Sequence, residues 1–219
     1  MPLAPPPATA RVSPNPLTLA AGTSLWRVHR KHRPSEEFKT RESDPHFGGG
    51  RFDAIAGDPY PYLYAGLAPE TALLETLVRS VPFDERGSRS IRRVAVTGYR
   101  LSELTTVAEL TLINLLTTVN LAAACQDEWL VQAEPAQYPQ TRRWGQWLRV
   151  NTSWAQGFIW PSRRNLGERT LVLFGDRCAE GALRPVQGAA VDLDDAACAA
   201  WLNQRLALYR IRVKLPRCS

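Results

Sequence analysis

The stretch YLYAGLAPETALLETLV, residues 62–78, predicts a short strand that runs directly into a helix. Pro69 suits the first helical position, where its missing N–H costs nothing, and Glu70 suits the positive end of the helix dipole. At about 100° per residue the large apolar side chains share an arc of about 140°, which predicts one buried face. Glu75 borders that face and is expected to be half desolvated; the alternative is an ordinary flanking residue paired with Arg79. The apolar face comprises Leu73, Leu74, Leu77, Val78 and Val81.

A long polar loop precedes this unit. Residues 31–50 are rich in charge and end in three glycines, which let the backbone turn with positive φ or come close to a ligand. Loops of this length are uncommon in compact domains unless they have a function. Arg51 follows the glycines directly, so the sequence predicts a cation beside a closely approaching backbone.

A strand far downstream ends in a hydroxyl. Residues 157–160 (GFIW) are typical of a buried strand that ends at Pro161 and Ser162, and residues 170–174 are predicted to be its neighbour. Ser162 is therefore expected where a central strand leaves the core.

The rest of the chain alternates between both element types. The pattern predicts strands at residues 25–29, 91–101 and 208–215, and helices at residues 120–125, 141–150 and 194–203. Residues 107–116 fit either a helix or a strand. The helix over 141–150 places Trp144, Trp147 and Leu148 on one inward face.

Length and composition indicate one domain. The chain has 219 residues, 44% of them hydrophobic, which is enough for a well-filled core. Residues 1–22 are a Pro/Ala-rich arm that is expected to stay disordered or loosely ordered, and the domain is expected over residues 23–219. No run of about 18 apolar residues and no secretory signal is present, so the protein is expected to be cytoplasmic, with no membrane contact.

Cysteine and histidine spacing gives no ligand cluster. The four cysteines, at positions 125, 178, 198 and 218, form no CxxC pair, and the three histidines join no carboxylate motif. Free thiols, no metal centre and no cofactor are expected.

The net charge of +6 makes an anionic substrate or partner plausible. Basic residues concentrate in residues 27–41, 86–100 and 205–217, without a recognisable nucleic-acid-binding motif. This leaves open a solvated face, a surface that docks an acidic protein, and a non-catalytic module that binds nucleic acid.

Four side chains offer complementary chemistry. Arg51 supplies a fixed cation, Tyr64 an aromatic face, Glu75 a carboxylate near the mouth of a helix and Ser162 a small polar group. Together they suit recognition and cleavage of a dinucleotide's glycosidic bond. In the alternative, structural interpretation, Arg51 binds carbonyls of the glycine loop, Tyr64 belongs to the core and Ser162 closes a turn after Pro161.

The order and spacing of these segments resemble the RES domain family, named after an arginine, a glutamate and a serine. The resemblance covers roughly residues 24–213 and matches Arg51, Tyr64, Glu75 and Ser162, with Arg27 as a second arginine. The family more often has tryptophan where this chain has Phe52. The resemblance implies a single α+β domain, a mixed β-sheet core flanked by helices, similar to the ADP-ribosyltransferase fold.

The resemblance also implies a toxin of a bacterial toxin–antitoxin pair that acts on NAD+ as its substrate. Arg51 would hold the diphosphate, Tyr64 would face the nicotinamide ring, Glu75 would stabilise the oxocarbenium-like ribose, and Ser162 would hydrogen-bond the ribose or the amide. Glu75 and Arg51 are thus the expected catalytic residues, and Arg51, Tyr64, Ser162 and Arg27 the expected NAD+-binding residues.

Two questions stay open at this point. The sequence does not distinguish attack by water or phosphate, which would degrade NAD+, from attack by a protein side chain, which would make a protein ADP-ribosyltransferase. An antitoxin with a helix-turn-helix DNA-binding region is the partner that the resemblance implies, no direct contact with nucleic acid is expected, and an oligomer is possible.

Overall fold

A curled, mixed sheet of nine strands forms the centre of the molecule, and the computed structural model describes residues 5–7, 11–78 and 81–214. Its path runs β1-β6-β7-β8-β3-β2-β5-β10, and β9 pairs with β5 beside this path. All these neighbours are antiparallel except β6 and β7, which are parallel. The strands are β1 Pro16–Leu19, β2 Ser24–Arg30, β3 Tyr62–Gly66, β5 Tyr99–Thr106, β6 Leu110–Asn114, β7 Gly157–Pro161, β8 Arg169–Phe174, β9 Leu183–Pro185 and β10 Val191–Asp192.

Five helices and a second, small sheet complete the described part of the chain. The small sheet pairs β4 (Arg89–Ile91) with β11 (Ile211–Val213) in parallel. The helices are α1 Pro69–Leu77, α2 Thr118–Ala123, α3 Trp129–Gln132, α4 Tyr138–Asn151 and α5 Ala199–Ala207. The predicted α+β class, with a mixed sheet flanked by helices, is confirmed. No helix within the described residues is long and apolar enough to cross a membrane.

Alternation along the central strands separates two faces of the sheet. One face is enclosed by the curl of the sheet and is filled by aliphatic side chains such as Leu63, Ile159 and Leu171. The other face carries two clusters. The α4 cluster includes Trp144, Leu148, Phe52, Phe158, Trp160 and Phe174, and the α1 cluster includes Leu73, Leu74, Leu77, Leu202 and Leu206.

The strand–helix unit of residues 62–78 forms as predicted. Pro69 occupies the start of α1, Ala68 is its N-cap, and the helix buries Leu73, Leu74 and Leu77. Burying a leucine side chain contributes about 1.5–3 kcal/mol, so this face fixes α1 against the sheet. The strands over 157–161 and 169–174 and the helix over 138–151 also confirm their predictions.

The N-terminal arm differs from its prediction. Pro16–Leu19 forms β1, which pairs residue by residue with β6, and Leu19 is buried. The expectation of an unordered arm over residues 1–22 is wrong for this segment. The edge of the sheet supplies backbone hydrogen bonds that order it, although its composition does not favour order.

Three other predictions need correction. The strand expected over 91–101 is divided between β4 and β5, with a tight helical turn at Arg93–Ala95 between them. The helix expected over 194–203 begins five residues later, at Ala199, and the last strand is confined to Ile211–Val213. In each case tertiary pairing sets the boundary, which local pattern does not encode.

Leu215, at the end of the predicted strand, lies outside the described residues, as does Cys218. The other three cysteines are free.

Candidate active site

The loop before Arg51 is folded around a buried carboxylate. Asp53 Oδ2 accepts hydrogen bonds from the Gly50 N–H at 2.8 Å and from Ser43 Oγ at 2.5 Å, and it lies 3.5 Å from Lys39 Nζ. Burial alone would raise the pKa of Asp53, but the lysine and these hydrogen bonds outweigh burial and lower it. A Cβ on Gly50 would lie 2.4 Å from Asp53 Oδ1, so this position requires glycine for reasons of space.

Arg142, on α4, holds the same loop from the other side. Its guanidinium group donates to the carbonyls of Asp44 at 2.5 Å, Gly48 at 2.8 Å and Gly50 at 3.3 Å. The glycine segment is thus attached to a helix although it lies in an exposed loop. This is how a segment rich in glycine presents the next residue, Arg51, in a fixed position.

Arg51 itself is buried, with 6% of its surface exposed. Its backbone is held by Thr141 Oγ1, which donates to the Arg51 carbonyl at 2.7 Å. Its Nη2 donates to the Ala133 carbonyl at 3.3 Å, and its Nε has no hydrogen-bond partner among the described residues. The guanidinium carbon lies 5.4 Å from the centre of the Tyr138 ring and 5.9 Å from that of Trp160.

No ion pair engages Arg51 within residues 5–7, 11–78 and 81–214. Burial lowers the pKa of Arg51 from its usual value, while Tyr138, Glu75 and Tyr64 act in the opposite direction. A guanidinium group stays protonated in proteins, so Arg51 is a buried positive charge that lacks a bonded carboxylate.

Tyr64 stands on β3 with its hydroxyl turned to the Arg51 loop. The Phe52 N–H donates to the Tyr64 hydroxyl oxygen at 2.8 Å, and the Tyr64 ring meets Trp160 edge to face at 6.2 Å. Burial raises the pKa of Tyr64 well above its usual value, so the phenol is neutral. Phe52 is fully buried and packs edge to face on both Phe158 and Trp160.

Glu75 is held through one of its two oxygens. Ser162 Oγ donates to Glu75 Oε1 at 2.7 Å, and the Arg164 N–H donates to the same oxygen at 3.2 Å. No described residue donates to Oε2, and Arg79, the alternative partner, lies outside the described residues. Within the described part of the chain, one oxygen of the carboxylate is fixed and the other faces no donor.

Ser162 lies beside Glu75, at the end of β7. It is fully buried, it does not line the cavity described below, and its oxygen accepts from the N–H groups of Arg164 at 3.2 Å and Asn165 at 3.0 Å. Its hydroxyl donates to Glu75, so the structure ties Ser162 to the carboxylate. Direct contact of Ser162 with a substrate stays a prediction.

A cavity of about 270 Å³ brings the other predicted residues together. It lies between the two clusters on the helix-covered face, because Tyr64 and Trp160 belong to the α4 cluster while Trp26, Val28 and Ala72 belong to the α1 cluster. Arg51, Tyr64, Glu75 and Arg27 all line it. The full lining is Trp26, Arg27, Val28, Gly50, Arg51, Tyr64, Ala65, Gly66, Ala72, Glu75, Thr76, Tyr138, Trp160 and Thr170.

Arg27 borders the cavity, and its guanidinium group donates hydrogen bonds to backbone carbonyls. Its Nη1 donates to the carbonyls of Ser35 at 2.6 Å and Glu37 at 2.7 Å. Burial lowers the pKa of Arg27 to about 10, partly offset by Glu37 and Glu36. Its clearest contact is therefore with the loop that follows β2.

Sequence reasoning missed Tyr138 and Arg142. The two residues lie four apart on α4, and Gly145 and Arg149 continue the same buried face. The available signal was the repeat of an arginine after seven residues, at Arg142 and Arg149, beside bulky tryptophans. A helix face that is solvated does not require such a repeat. Trp160 was assigned to a buried strand but not to the site.

Within the described ranges, no cluster of histidine, cysteine, aspartate and glutamate could hold a metal ion. Two guanidinium groups, one carboxylate, two threonines and aromatic rings line the cavity. This arrangement can bind an organic ligand that combines an anionic group, an aromatic ring and a centre that becomes positively charged.

A family model and a solved structure are similar to this chain. The model of the RES domain family matches residues 24–196. A chain in the crystal structure of the M. tuberculosis MbcT–MbcA toxin–antitoxin complex is similar with a TM-score of 0.53 and 18% sequence identity, over 80% of this chain and 86% of that chain. At this identity the likeness shows a shared fold. A search of the curated proteins finds no match.

Proposed function

This chain belongs to the RES domain family, and we propose that it is a toxin-like enzyme that cleaves the nicotinamide–ribose bond of NAD+, as a glycohydrolase or a phosphorylase. One observation carries the proposal. A buried guanidinium group, Arg51, and a carboxylate, Glu75, line the same cavity; among the described residues, Arg51 has no ion-pair partner and Glu75 Oε2 has no donor.

The unpaired charge of Arg51 supports an anionic substrate. A buried cation is costly unless it is paired and hydrogen-bonded, and Arg51 has one carbonyl partner and an unpartnered Nε. Two oxygens of a diphosphate would accept hydrogen bonds from the guanidinium group. A lysine ammonium group could not bind them with the same bidentate geometry.

Glu75 supports cleavage at a glycosidic carbon. When the nicotinamide leaves, the positive charge of the pyridinium ring passes to the ribose, which becomes oxocarbenium-like, and the nicotinamide departs neutral. A carboxylate next to that carbon stabilises the developing charge, as carboxylates do in glycoside hydrolysis. Ser162 and the Arg164 N–H hold Oε1, so Oε2 is the oxygen proposed to meet the ribose.

The aromatic wall supports binding of the nicotinamide ring. Tyr64 and Trp160 meet edge to face, so their rings present surfaces in two orientations. Tyr64 is neutral and therefore adds no charge that would hold the departing ring. The cavity volume, about 270 Å³, is slightly below the ~300–1,000 Å³ that is typical of small-molecule sites. We infer that it takes the nicotinamide riboside half, with the adenosine half nearer the mouth.

An antitoxin protein with a helix-turn-helix DNA-binding region is the proposed partner. The shared fold with a chain of a toxin–antitoxin complex supports a partner of this kind, and the cytoplasm, where NAD+ is abundant, is the proposed place of action.

The test is incubation of the purified protein with NAD+, with and without phosphate, followed by identification of the products. Release of nicotinamide with ADP-ribose would identify a glycohydrolase, and phosphorylated ADP-ribose a phosphorylase. Label from the adenosine half on a macromolecule would identify a protein ADP-ribosyltransferase. No release of nicotinamide under any condition would contradict the proposal, and salt-sensitive nucleic-acid binding that ignores changes at Arg51 and Glu75 would favour a non-catalytic module.

A further inference from the structure

The turn after β7 is tied to helix α1 at two points. At the first, Ser162 Oγ and the Arg164 N–H donate to Glu75 Oε1. At the second, Asn165 Nδ2 donates to Thr71 Oγ1 at 2.9 Å. Thr71 and Glu75 are four residues apart and therefore lie one above the other on α1. The two contacts fix both the height and the rotation of this part of the helix relative to the turn.

Backbone N–H groups of the turn also determine where the Ser162 proton points. A hydroxyl has one proton and two acceptor sites, and the oxygen of Ser162 accepts from the N–H groups of Arg164 and Asn165. With both acceptor sites in use, the proton is directed to Glu75. The turn is closed by two further backbone bonds, Ser162 N–H to the Glu168 carbonyl at 2.8 Å and Glu168 N–H to the Asn165 carbonyl at 3.0 Å.

A third contact reaches this turn from the C-terminal part of the chain. The Tyr209 hydroxyl, just beyond α5, donates to Asn165 Oδ1 at 3.3 Å. Because the amide nitrogen faces Thr71 and the amide oxygen faces Tyr209, the orientation of the Asn165 side chain is set from both ends. Thr71 is fully buried, Asn165 is 8% exposed, and Thr71, Asn165 and Tyr209 do not line the cavity.

We propose that Thr71 and Asn165 are positioning residues for Glu75, and that Tyr209 orients the Asn165 amide. This inference rests on the proposed function, since it assigns the group that keeps the Glu75 carboxylate aimed at the ribose. These side chains act through Glu75 and Ser162 and touch no substrate. A carboxylate that drifts by about 1 Å loses on the order of 100-fold in rate, so a tie of this kind affects turnover rather than binding.

The test uses three conservative variants and full steady-state kinetics of nicotinamide release. Thr71→Val keeps the shape of the side chain and removes the acceptor for Asn165. We expect its kcat to fall by about 10- to 100-fold, with KM nearly unchanged, because only the alignment of Glu75 is lost. Thr71→Ser keeps the hydroxyl and is the matched control; its kcat should return to near the wild-type value. Tyr209→Phe should lower kcat by a smaller factor, about threefold.

Folding is measured in parallel by thermal unfolding, and kcat is expressed per folded molecule. If Thr71→Val does not fold, Tyr209→Phe carries the test, because Tyr209 is partly exposed and its ring stays in place. Unchanged kcat per folded molecule in both variants would overturn the inference, as would equal losses in Thr71→Ser and Thr71→Val. Wild-type protein that releases no nicotinamide would instead overturn the proposed function, so the two failures are distinguishable.

Discussion

Arg149 and Arg51 are both buried against the α4 cluster, yet their partners differ. Arg149 forms ion pairs with Asp58 at 2.8 Å and Asp176 at 2.9 Å, and its guanidinium carbon lies 3.6 Å from the centre of the Tyr60 ring. Burial acts to lower the pKa of Arg149, but its hydrogen bonds to both carboxylates raise it above the usual value. Arg51 has one carbonyl partner, and burial lowers its pKa.

The difference separates a structural arginine from a proposed ligand-binding one. Arg149 carries its counter-charges within the fold, so its charge is compensated whether or not a ligand binds. Arg51 is buried at a cost that its own surroundings do not offset, and such a cost is typical of functional sites. The comparison predicts that the two arginines respond oppositely to the same substitution.

Arg51→Met should give the largest effect. Loss of the guanidinium group removes the proposed diphosphate contact, and nicotinamide release should fall by about 1000-fold or more. The free energy of unfolding should stay the same or rise, because a buried cation is replaced by an apolar side chain of similar length. Calorimetry and a nicotinamide assay on the same preparation measure both quantities. A folded Arg51→Met protein with near-wild-type turnover would remove the distinction between the two arginines.

Arg149→Met should give the converse result. Asp58 and Asp176 would lose their shared partner, and the free energy of unfolding should fall by about 1–3 kcal/mol, because both carboxylates keep contact with solvent. Turnover per folded molecule should change little, since Arg149 does not line the cavity. Urea unfolding monitored by circular dichroism gives the stability. A variant as stable as wild type would show that these ion pairs contribute nothing net.

Gly50→Ala extends the comparison to the loop that presents Arg51. The added methyl group would lie 2.4 Å from Asp53 Oδ1 and 2.9 Å from the Tyr64 hydroxyl, so we expect a loss of about 1–3 kcal/mol in unfolding free energy and a displaced Arg51. Gly57→Ala is the matched control near Asp58, because there the new group meets only the flexible end of Gln146. Equal melting temperatures and activities for the two variants would contradict the packing described around Gly50.

The smallest effect concerns pH. His29 is buried, and burial, followed by the charge of Arg27, lowers its pKa below 6.5. The unfolded chain therefore binds a proton more readily than the folded one, and this part of the stability is present above about pH 6.5 and lost as the pH falls through the folded pKa. Unfolding free energies of wild type and His29→Gln, measured from pH 7.5 to 5, should differ in slope. Parallel curves would mean that burial and the charge of Arg27 do not lower the pKa of His29.

Local pattern was sufficient for the strand–helix unit of residues 62–78, for β7 and β8, and for α4. In these segments apolar periodicity and the stop and start residues agree with the tertiary contacts. It failed for β1, whose composition favours disorder, and for the divided strand over 91–101, because pairing with a distant strand decides both.

The candidate site shows the same contrast between residues that local elements place and contacts that arise from packing. Arg51, Tyr64 and Glu75 were predicted to share a site and they line one cavity, since each is placed by a local element. The hydrogen bond of Ser162 to Glu75 was not predicted, because no sequence pattern states which side of α1 faces the end of β7. The contact of Arg51 with Tyr138, 87 positions apart, and the tie of Asn165 to Thr71 arise from packing alone.

The most direct test of the central claim compares nicotinamide release from NAD+ by wild type and by Glu75→Gln, at equal concentrations of folded protein. The glutamine keeps the size of the side chain and its contact with Ser162, and it removes the negative charge. We predict that wild type releases nicotinamide and that Glu75→Gln is slower by about 1000-fold or more with an unchanged melting temperature. Equal turnover by the two proteins would contradict the assignment of this cavity as the site of NAD+ cleavage.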